Sequence, residues 1–255
     1  MKPRLSQNFL FDPSILRRIA DAAGISPEDT VVEIGPGLGT LTKELLQRAA
    51  RVIAIELDEK LYLNLKEKID SDRFEVFHAD ALRFPYNGLG PFKVVSNIPY
   101  HITTPVIFRL LEEKGLKSMT LTIQKEVAQR IAARPGGKDY GILSLAVQYR
   151  GAPRIALTIP KGAFRPVPKV DSACISIDIY ERPPVEVHDE HLLFSLIRGS
   201  FSYRRKTIEN GIKKICPGAA EALKNAGIDP KRRPETLGLA EFARLTEEVL
   251  KTNRS

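Results

Sequence analysis

Residues 97–100 are the part of this sequence with the clearest chemical potential. Asn97, Ile98, Pro99 and Tyr100 follow the apolar run 92–96, which has the character of a buried strand. A strand that ends in this way presents an amide oxygen, a backbone carbonyl and an aromatic face at one edge of a sheet. The two oxygens can accept both hydrogens of an exocyclic amine, while the ring stacks on the base that carries it. Asn and Pro are also ordinary turn residues, so a turn without a ligand is the alternative.

A glycine-rich turn and two acids precede this segment, each after another apolar run. Residues 35–39 read Gly-Pro-Gly-Leu-Gly, a pattern that permits a tight turn and a close approach of backbone to ligand. Because the dinucleotide pattern GxGxxG is missing, the turn favours a nucleoside over a pyrophosphate. Glu56 can accept hydrogen bonds from both ribose hydroxyls, and Asp80 can accept one from an adenine amine. Without a ligand, these features would be a plain turn, a helix cap and an Asx turn.

The elements that must position these residues alternate between strand and helix. The strand-like runs are residues 30–34, 52–55, 74–77, 92–96 and 119–123. The helical patterns between and after them are residues 41–49, 59–69, 105–112 and 125–133. This order predicts an α/β fold with a mostly parallel sheet. The carboxyl ends of parallel strands meet at one edge, so the glycine turn, Glu56, Asp80 and Asn97 are predicted to line one site.

The later part of the chain breaks the alternation. Residues 143–149, 155–159 and 173–179 read as strands without intervening helices, which predicts an antiparallel edge on the sheet. After Pro183 and Pro184 the strand signal disappears, and short helical patterns follow at 191–201, 207–215, 219–226 and 240–250. We therefore predict two domains, residues 1–183 with the sheet and residues 184–255 as a small helical domain.

Composition limits the class of protein. The chain has 255 residues, 43% of them hydrophobic and 27% charged, with a formal net charge of +8. A basic protein of this size often has a polyanionic partner. Cys174 and Cys216 are distant and form no CxxC pair, which argues against a disulfide scaffold and against a metal site. Neither a signal peptide nor a membrane-spanning run is apparent, so we expect a cytoplasmic protein.

The whole set of motifs resembles the rRNA adenine dimethyltransferase family, whose members use S-adenosyl-L-methionine. The matching segments, in order, are residues 7–10, 33–39, 55–58, 80–81, 97–100, 124–130, 140–141, 164–172 and 204–207. The resemblance implies a Rossmann-like methyltransferase sheet with a small C-terminal helical domain. Residues 208–211, Ile-Glu-Asn-Gly, depart from the family pattern, which puts in doubt only the contacts of that helix.

Two branches of the family have to be distinguished. Members of the KsgA-type branch dimethylate two adjacent adenosines in the 3'-terminal hairpin loop of small-subunit rRNA and take part in subunit biogenesis. Members of the other branch dimethylate one adenosine of large-subunit rRNA and confer macrolide resistance. Residues 103–105, 124–130, 169–172 and 235–237 resemble the first branch. The alternatives are the resistance type, a DNA adenine methyltransferase, and an assembly factor that acts mainly by binding RNA.

The resemblance also implies roles for individual residues. Asn8, Leu10, Gly35, Gly37, Glu56, Asp80 and Asn97 would bind the cofactor. Asn97, Ile98, Pro99 and Tyr100 would hold the target adenine, with Tyr100 and Phe164 stacked on its two faces. Without the resemblance, Phe164 would be predicted to be a core aromatic, and Asn8 a helix cap.

The remaining expectations concern RNA. Arg204, Arg205 and Lys206 form a basic cluster in the predicted helical domain and would contact phosphates, with binding that weakens as salt rises. Charge clusters are more often solvated faces, so this signal is weak by itself. The expected partner is small-subunit rRNA within the small ribosomal subunit or its precursor, bound by a monomer.

Overall fold

The computed structural model describes residues 8–202 and 206–252, which form nine strands and ten α-helices. The strands are β1 (Phe9–Leu10), β2 (Thr30–Ile34), β3 (Arg51–Glu56), β4 (Phe74–His78), β5 (Phe92–Asn97), β6 (Leu116–Gln124), β7 (Gly151–Ile159), β8 (Phe164–Arg165) and β9 (Ser172–Ile179). The helices are α1 (Pro13–Ala22), α2 (Thr40–Leu46), α3 (Glu59–Lys68), α4 (Thr103–Leu111), α5 (Lys125–Ile131), α6 (Ile142–Arg150), α7 (Glu190–Phe201), α8 (Ile208–Ile212), α9 (Ala219–Asn225) and α10 (Leu239–Thr252).

Seven strands form one sheet in the order β4-β3-β2-β5-β6-β9-β7. Strands β4, β3, β2, β5 and β6 are parallel to one another, while β9 runs antiparallel to β6. The centre of the sheet is apolar on both faces, as parallel strands covered by helices require: Val31, Val32, Val94 and Val95 are all fully buried. The predicted α/β fold with a mostly parallel sheet and an antiparallel edge is confirmed.

A second, two-stranded sheet pairs β1 with β8 in antiparallel register, with Leu10 opposite Phe164. Both residues are buried in the same apolar cluster as helix α1. Helix α1 begins at Asp12, whose carboxylate accepts hydrogen bonds from the Ser14 and Ile15 backbone N–H groups. Asn8 is therefore not the cap of this helix.

The prediction of a strand at residues 143–149 is wrong, because this segment lies within helix α6. The run is buried nearly all round, so it lacks the amphipathic period that marks a surface helix. Two hydrogen bonds fix the helix: Ser144 donates through Oγ to the Arg130 carbonyl at 2.5 Å, and the Gln148 amide donates to the Ala133 carbonyl at 2.8 Å. The antiparallel strand at this end of the sheet is β9, and β7 lies beyond it at the edge.

The chain divides into two compact units, each of which is made of two separate segments of the sequence. One contains Met1–Ala128 and Ala152–Ile179, and the other contains Gln129–Gly151 and Tyr180–Ser255. The predicted boundary after residue 183 lies near the second crossing, but that prediction placed residues 129–151 with the sheet.

The second unit has its own apolar core, to which helices α6 to α10 all contribute. Gly199 and Gly211 bring α7 and α8 close together, because a Cβ on Gly211 would lie 2.8 Å from the Ser200 Cα. The predicted helical character of this part of the chain is confirmed. None of the helices described in either unit is long and apolar enough to cross a membrane.

Candidate active site

A cavity opens at the carboxyl ends of β2, β3, β4 and β5, where the sequence predicts a ligand site. Its lining includes every predicted cofactor residue and the 97–100 segment. These lining residues are Asn8, Leu10, Gly35, Gly37, Glu56, Asp80, Asn97, Ile98, Pro99 and Tyr100. The structure thus brings together residues that are separated by most of the length of the first unit. Phe164 is the one predicted site residue of this unit that the lining does not include.

The glycine turn between β2 and α2 depends on backbone conformations that favour glycine. Gly35, Gly37 and Gly39 have φ values of +66°, +60° and +78°. A Cβ on Gly37 would lie 2.7 Å from the ring of Phe9, and one on Gly35 would lie 3.4 Å from Pro99. The missing side chains therefore allow the turn to pack against both β1 and the 97–100 segment, so that backbone lines the cavity there.

Glu56 ends β3 with its carboxylate held by the backbone. Oε2 accepts a hydrogen bond from the Gly37 N–H at 3.2 Å, and Oε1 accepts one from the Asp58 N–H at 2.9 Å. Burial raises the pKa of Glu56, and these two donors oppose the rise. The helix-capping role that was the alternative for Glu56 is filled by Asp58. Its carboxylate accepts hydrogen bonds from the Lys60 and Leu61 N–H groups at the start of α3. Glu56 keeps lone pairs for the two hydroxyls of a ribose.

Asp80 follows β4 and forms the Asx turn that was its alternative role. Its Oδ1 accepts a hydrogen bond from the Leu82 N–H at 2.9 Å. A carboxylate has about four acceptor positions, so the turn fixes this side chain and leaves it able to accept further hydrogen bonds. Asp80 lines the cavity together with Ala79 and Ala81, which suits recognition of a flat, mostly apolar base.

Asn97 ends β5 and contacts the N-terminal segment of the described chain. Its Nδ2 donates a hydrogen bond to the Asn8 carbonyl at 3.0 Å. That bond uses the donor half of the amide, so Oδ1 is the half that remains to accept a hydrogen bond. The next residue is equally fixed, since the Ile98 N–H donates to the Thr122 carbonyl at 3.1 Å and Ile98 is buried.

The two predicted stacking residues differ in their surroundings. Tyr100 lines the cavity and its hydroxyl lies 2.6 Å from the Ser172 Oγ, a hydrogen bond that anchors the ring. Partial burial raises the pKa of Tyr100. Phe164 has an exposed fraction of 0% and packs in the apolar cluster behind Leu10. This is the core position expected without the family resemblance, and the stacking role of Phe164 stays a prediction.

Two features of the site escaped the sequence reasoning. Phe9 packs over the glycine turn, and Thr40 donates through Oγ1 to the Leu10 carbonyl at 2.9 Å, so β1 forms one wall of the cavity. Glu33 also lines it, fully buried, with the Thr42 Oγ1 donating to its Oε2 at 2.6 Å. Burial raises the pKa of Glu33 to about 8. An acid inside an otherwise apolar strand was the available signal for Glu33.

The predicted RNA-binding cluster is only partly visible. Arg204 and Arg205 lie outside the described residues, and Lys206 is exposed. Over residues 8–202 and 206–252, no group of three or more His, Cys, Asp or Glu side chains is placed to hold a metal ion.

Comparison with known proteins agrees with this geometry. The profile of the family described as ribosomal RNA adenine dimethylase matches residues 1–251. A ribosomal RNA small subunit methyltransferase A from Clostridium botulinum (strain Loch Maree / Type A3) is 48% identical over 252 residues, which cover 95% of this chain and 92% of that protein. The protein of the same name from Geobacillus thermodenitrificans is 42% identical over 98% of this chain and 91% of its own length.

Two solved structures share the architecture over nearly their full length. A dimethyladenosine transferase from Plasmodium falciparum matches with a TM-score of 0.85 and 28% identity, covering 96% of this chain and 98% of that one. The 23S rRNA methyltransferase ErmE matches with a TM-score of 0.75 and 30% identity, covering 95% and 99%. The chain therefore belongs to the ribosomal RNA adenine dimethylase family, and its cofactor is S-adenosyl-L-methionine.

Proposed function

We propose that this enzyme dimethylates two adjacent adenosines in the 3'-terminal hairpin loop of small-subunit rRNA. The observation that carries the proposal is the free acceptor oxygen of Asn97 at the edge of a cavity that also holds Glu56 and Asp80. The fold alone does not separate the branches, because ErmE shares it. The higher identity to the small-subunit methyltransferases supports that branch.

The residues present fit the cofactor. Glu56 would accept from the two ribose hydroxyls, Asp80 from the adenine amine, and the turn at Gly35 and Gly37 would lie against the methionine portion. Asn8 and Leu10 would close the site from β1. This set of residues suits the cofactor chemically. The carboxylates of Glu56 and Asp80 accept hydrogen bonds from hydroxyl and amine groups, and the backbone at Gly35 and Gly37 is open to a charged tail.

Asn97 and Ile98 would activate the target amine. An adenine amine is a poor nucleophile because its lone pair is delocalised into the ring. Two acceptors, Asn97 Oδ1 and the Ile98 carbonyl, favour a pyramidal nitrogen and stabilise the positive charge that develops on it. The cofactor, held by Glu56, Asp80 and the turn at Gly35 and Gly37, would supply an electrophilic sulfonium methyl, and the surplus proton of the methylated amine would leave to water. Orientation of this kind can lower the barrier by roughly 7–11 kcal/mol.

Tyr100 and Phe164 would stack on the two faces of the extruded adenine, each contact contributing about 1–3 kcal/mol. A loop adenosine suits this site because unpaired bases require the least energy to extrude. Arg204, Arg205 and Lys206 in the helical domain would hold RNA phosphates. We take the enzyme to act as a monomer in the cytoplasm, where the small subunit and its precursors are assembled.

Methyl transfer to ribosomal particles tests the proposal. Unmethylated small subunits and unmethylated large subunits are incubated separately with methyl-labelled cofactor, and modified bases are mapped. We expect dimethylation of two neighbouring adenosines in the small subunit and none in the large subunit. Labelling of a large-subunit adenosine alone would establish the resistance type. Tight binding of small subunits without any labelling would favour an assembly factor.

A further inference from the structure

A second concave surface lies at the opposite edge of the same sheet, in the first unit. We call it the basic groove; its lining is Arg18, Asp21, Ala22, Ala23, Gly24, Lys93, Lys117, Ser118, Arg154, Ala156, Leu157, Ser176 and Asp178. Lys93 and Lys117 stand near the beginnings of β5 and β6, whereas Asn97 stands at the end of β5. At about 3.3 Å per residue, Lys93 and Asn97 are roughly 13 Å apart along the strand. The basic groove is therefore separate from the cavity that holds the methyl-transfer residues.

Three cations of the basic groove have no anionic partner among the described residues. Arg18 on α1, Lys117 on β6 and Arg154 on β7 are exposed, and no carboxylate of the described chain lies within ion-pair distance of them. Lys93 differs, since it is bound to Asp29 and to the Gly24 carbonyl, both at 2.7 Å. These three unpaired cations lie on three different elements that are distant in the sequence. The fold brings them to one surface.

The rest of the lining consists of small or apolar residues, two serines and two carboxylates. Ser118 and Ser176 form the floor, with exposed fractions of 7% and 4%, and Ser176 Oγ donates to the Ala22 carbonyl at 3.4 Å. Two carboxylates, Asp21 and Asp178, stand against the four cations of the lining. Asp21 is already paired with Arg48. The net charge of the lining is therefore positive. The hydroxyl of Ser118 is also available to donate a hydrogen bond.

We propose that the basic groove binds the phosphodiester backbone of the substrate rRNA, as a contact remote from the methylated adenosines. This rests on the proposed function and adds a second RNA contact to it. A backbone fits better than a single free phosphate, because the three unpaired cations are exposed and no fully buried cation is present to fix one anion. Such a contact would fix the orientation of the RNA on the enzyme.

The salt dependence of binding tests this inference. The variant Arg18→Gln/Lys117→Gln/Arg154→Gln is compared with the wild type and with Lys43→Gln/Lys66→Gln/Lys68→Gln, which removes three exposed cations from α2 and α3 of the same unit. Affinity for unmethylated small subunits is measured across a salt series. Each lost phosphate contact reduces the slope of log K against log salt by about 0.7–0.9. We expect a reduction of about 2 to 3 for the groove variant and none for the control.

A groove variant whose slope equals that of the control variant would overturn the inference. If this variant also loses a thermal stabilisation that inorganic phosphate gives the wild type, the groove is a free-phosphate site. The proposed function is tested separately by two measurements on the groove variant. We expect it to methylate at saturating subunit concentration and to bind the cofactor with unchanged affinity. If all three proteins fail to methylate small subunits, the proposed function fails instead.

Discussion

The side-chain amide of Asn97 is oriented by the backbone of Asn8, since Nδ2 donates to the Asn8 carbonyl at 3.0 Å. The two residues are 89 positions apart in the chain. The contact therefore links the N-terminal wall of the cavity to the end of β5, where we propose that the substrate binds. It leaves Oδ1 as the amide atom that we propose accepts a hydrogen bond from the adenine amine.

Asn97→Ala removes that acceptor, and we expect methyl transfer to fall by about 10²–10³-fold, as when one polar contact to developing charge is lost. Binding of small subunits should stay near the wild-type value. The measurement is the single-turnover rate on unmethylated small subunits, with Asn225→Ala on the exposed face of α9 as the matched control. Retained methylation in Asn97→Ala would reject the proposed amine contact.

Glu56→Gln should weaken cofactor binding. The replacement keeps the shape of the side chain but turns one acceptor into a donor, which leaves a ribose hydroxyl or the Gly37 N–H without its partner. A loss of about 1–3 kcal/mol corresponds to roughly a 5–150-fold higher Kd, measured by titration calorimetry. Glu75→Gln on the edge strand, where the exposed carboxylate pairs with Arg51, is the control. Equal Kd values for both variants would contradict a ribose role.

Gly37→Ala should destabilise the protein more than Gly24→Ala. Both glycines have a positive φ, +60° and +54°, so both replacements incur about 1–2 kcal/mol of backbone strain. Only at Gly37 would the added Cβ meet another group, the Phe9 ring, whereas nothing lies within 4 Å at Gly24. Urea unfolding of the two variants should differ by about 1–3 kcal/mol. Equal losses would show that the contact between the turn and β1 is not tight.

Phe164→Ala should lower the free energy of unfolding by about 3–5 kcal/mol, because the ring is buried in the core of the first unit. Phe164→Leu largely keeps the apolar volume, so most of the stability should return. The stacking prediction is then tested on the stable variant. A lower kcat/KM in Phe164→Leu at normal stability supports a contact with the base, while an unchanged kcat/KM restricts Phe164 to packing.

We expect Glu33 to make the stability of the protein depend on pH. Its folded-state pKa of about 8 lies above the ordinary value of 4.5. Below the ordinary value, both states are protonated and the group has no effect. As pH rises through this window, the unfolded chain releases a proton that the folded chain retains, so the free energy of unfolding falls. Above about pH 8 the folded chain also ionises, and the loss stops growing.

Glu33→Gln cannot titrate, yet its amide oxygen can still accept from Thr42. The stability of this variant relative to the wild type should therefore increase between about pH 5 and pH 8, measured by urea unfolding at each pH. A constant difference across that range would show that Glu33 is ionised in the folded protein.

The sequence predicted the sheet and the edge that carries the site because both depend on local signals. Apolar runs, a glycine turn and the acids that follow the strands are visible within a few residues. The helix at Ile142–Arg150 was missed because a segment buried on all sides has no period to distinguish it from a strand. The wall made by β1 was missed for a different reason. Phe9 meets Gly37, and Leu10 meets Phe164, through contacts that no local pattern encodes.

The pairing of β1 with β8 bears on how two methyl groups reach one nitrogen. Double modification requires a spent cofactor to leave and a fresh one to enter, and β1, which lines the cavity, belongs to a ribbon with two residues on each strand. So short a ribbon is only marginally stable in isolation, unlike the seven-stranded sheet beneath it. We therefore expect the cavity wall formed by β1 to open more readily than the sheet edge that carries Glu56, Asp80 and Asn97.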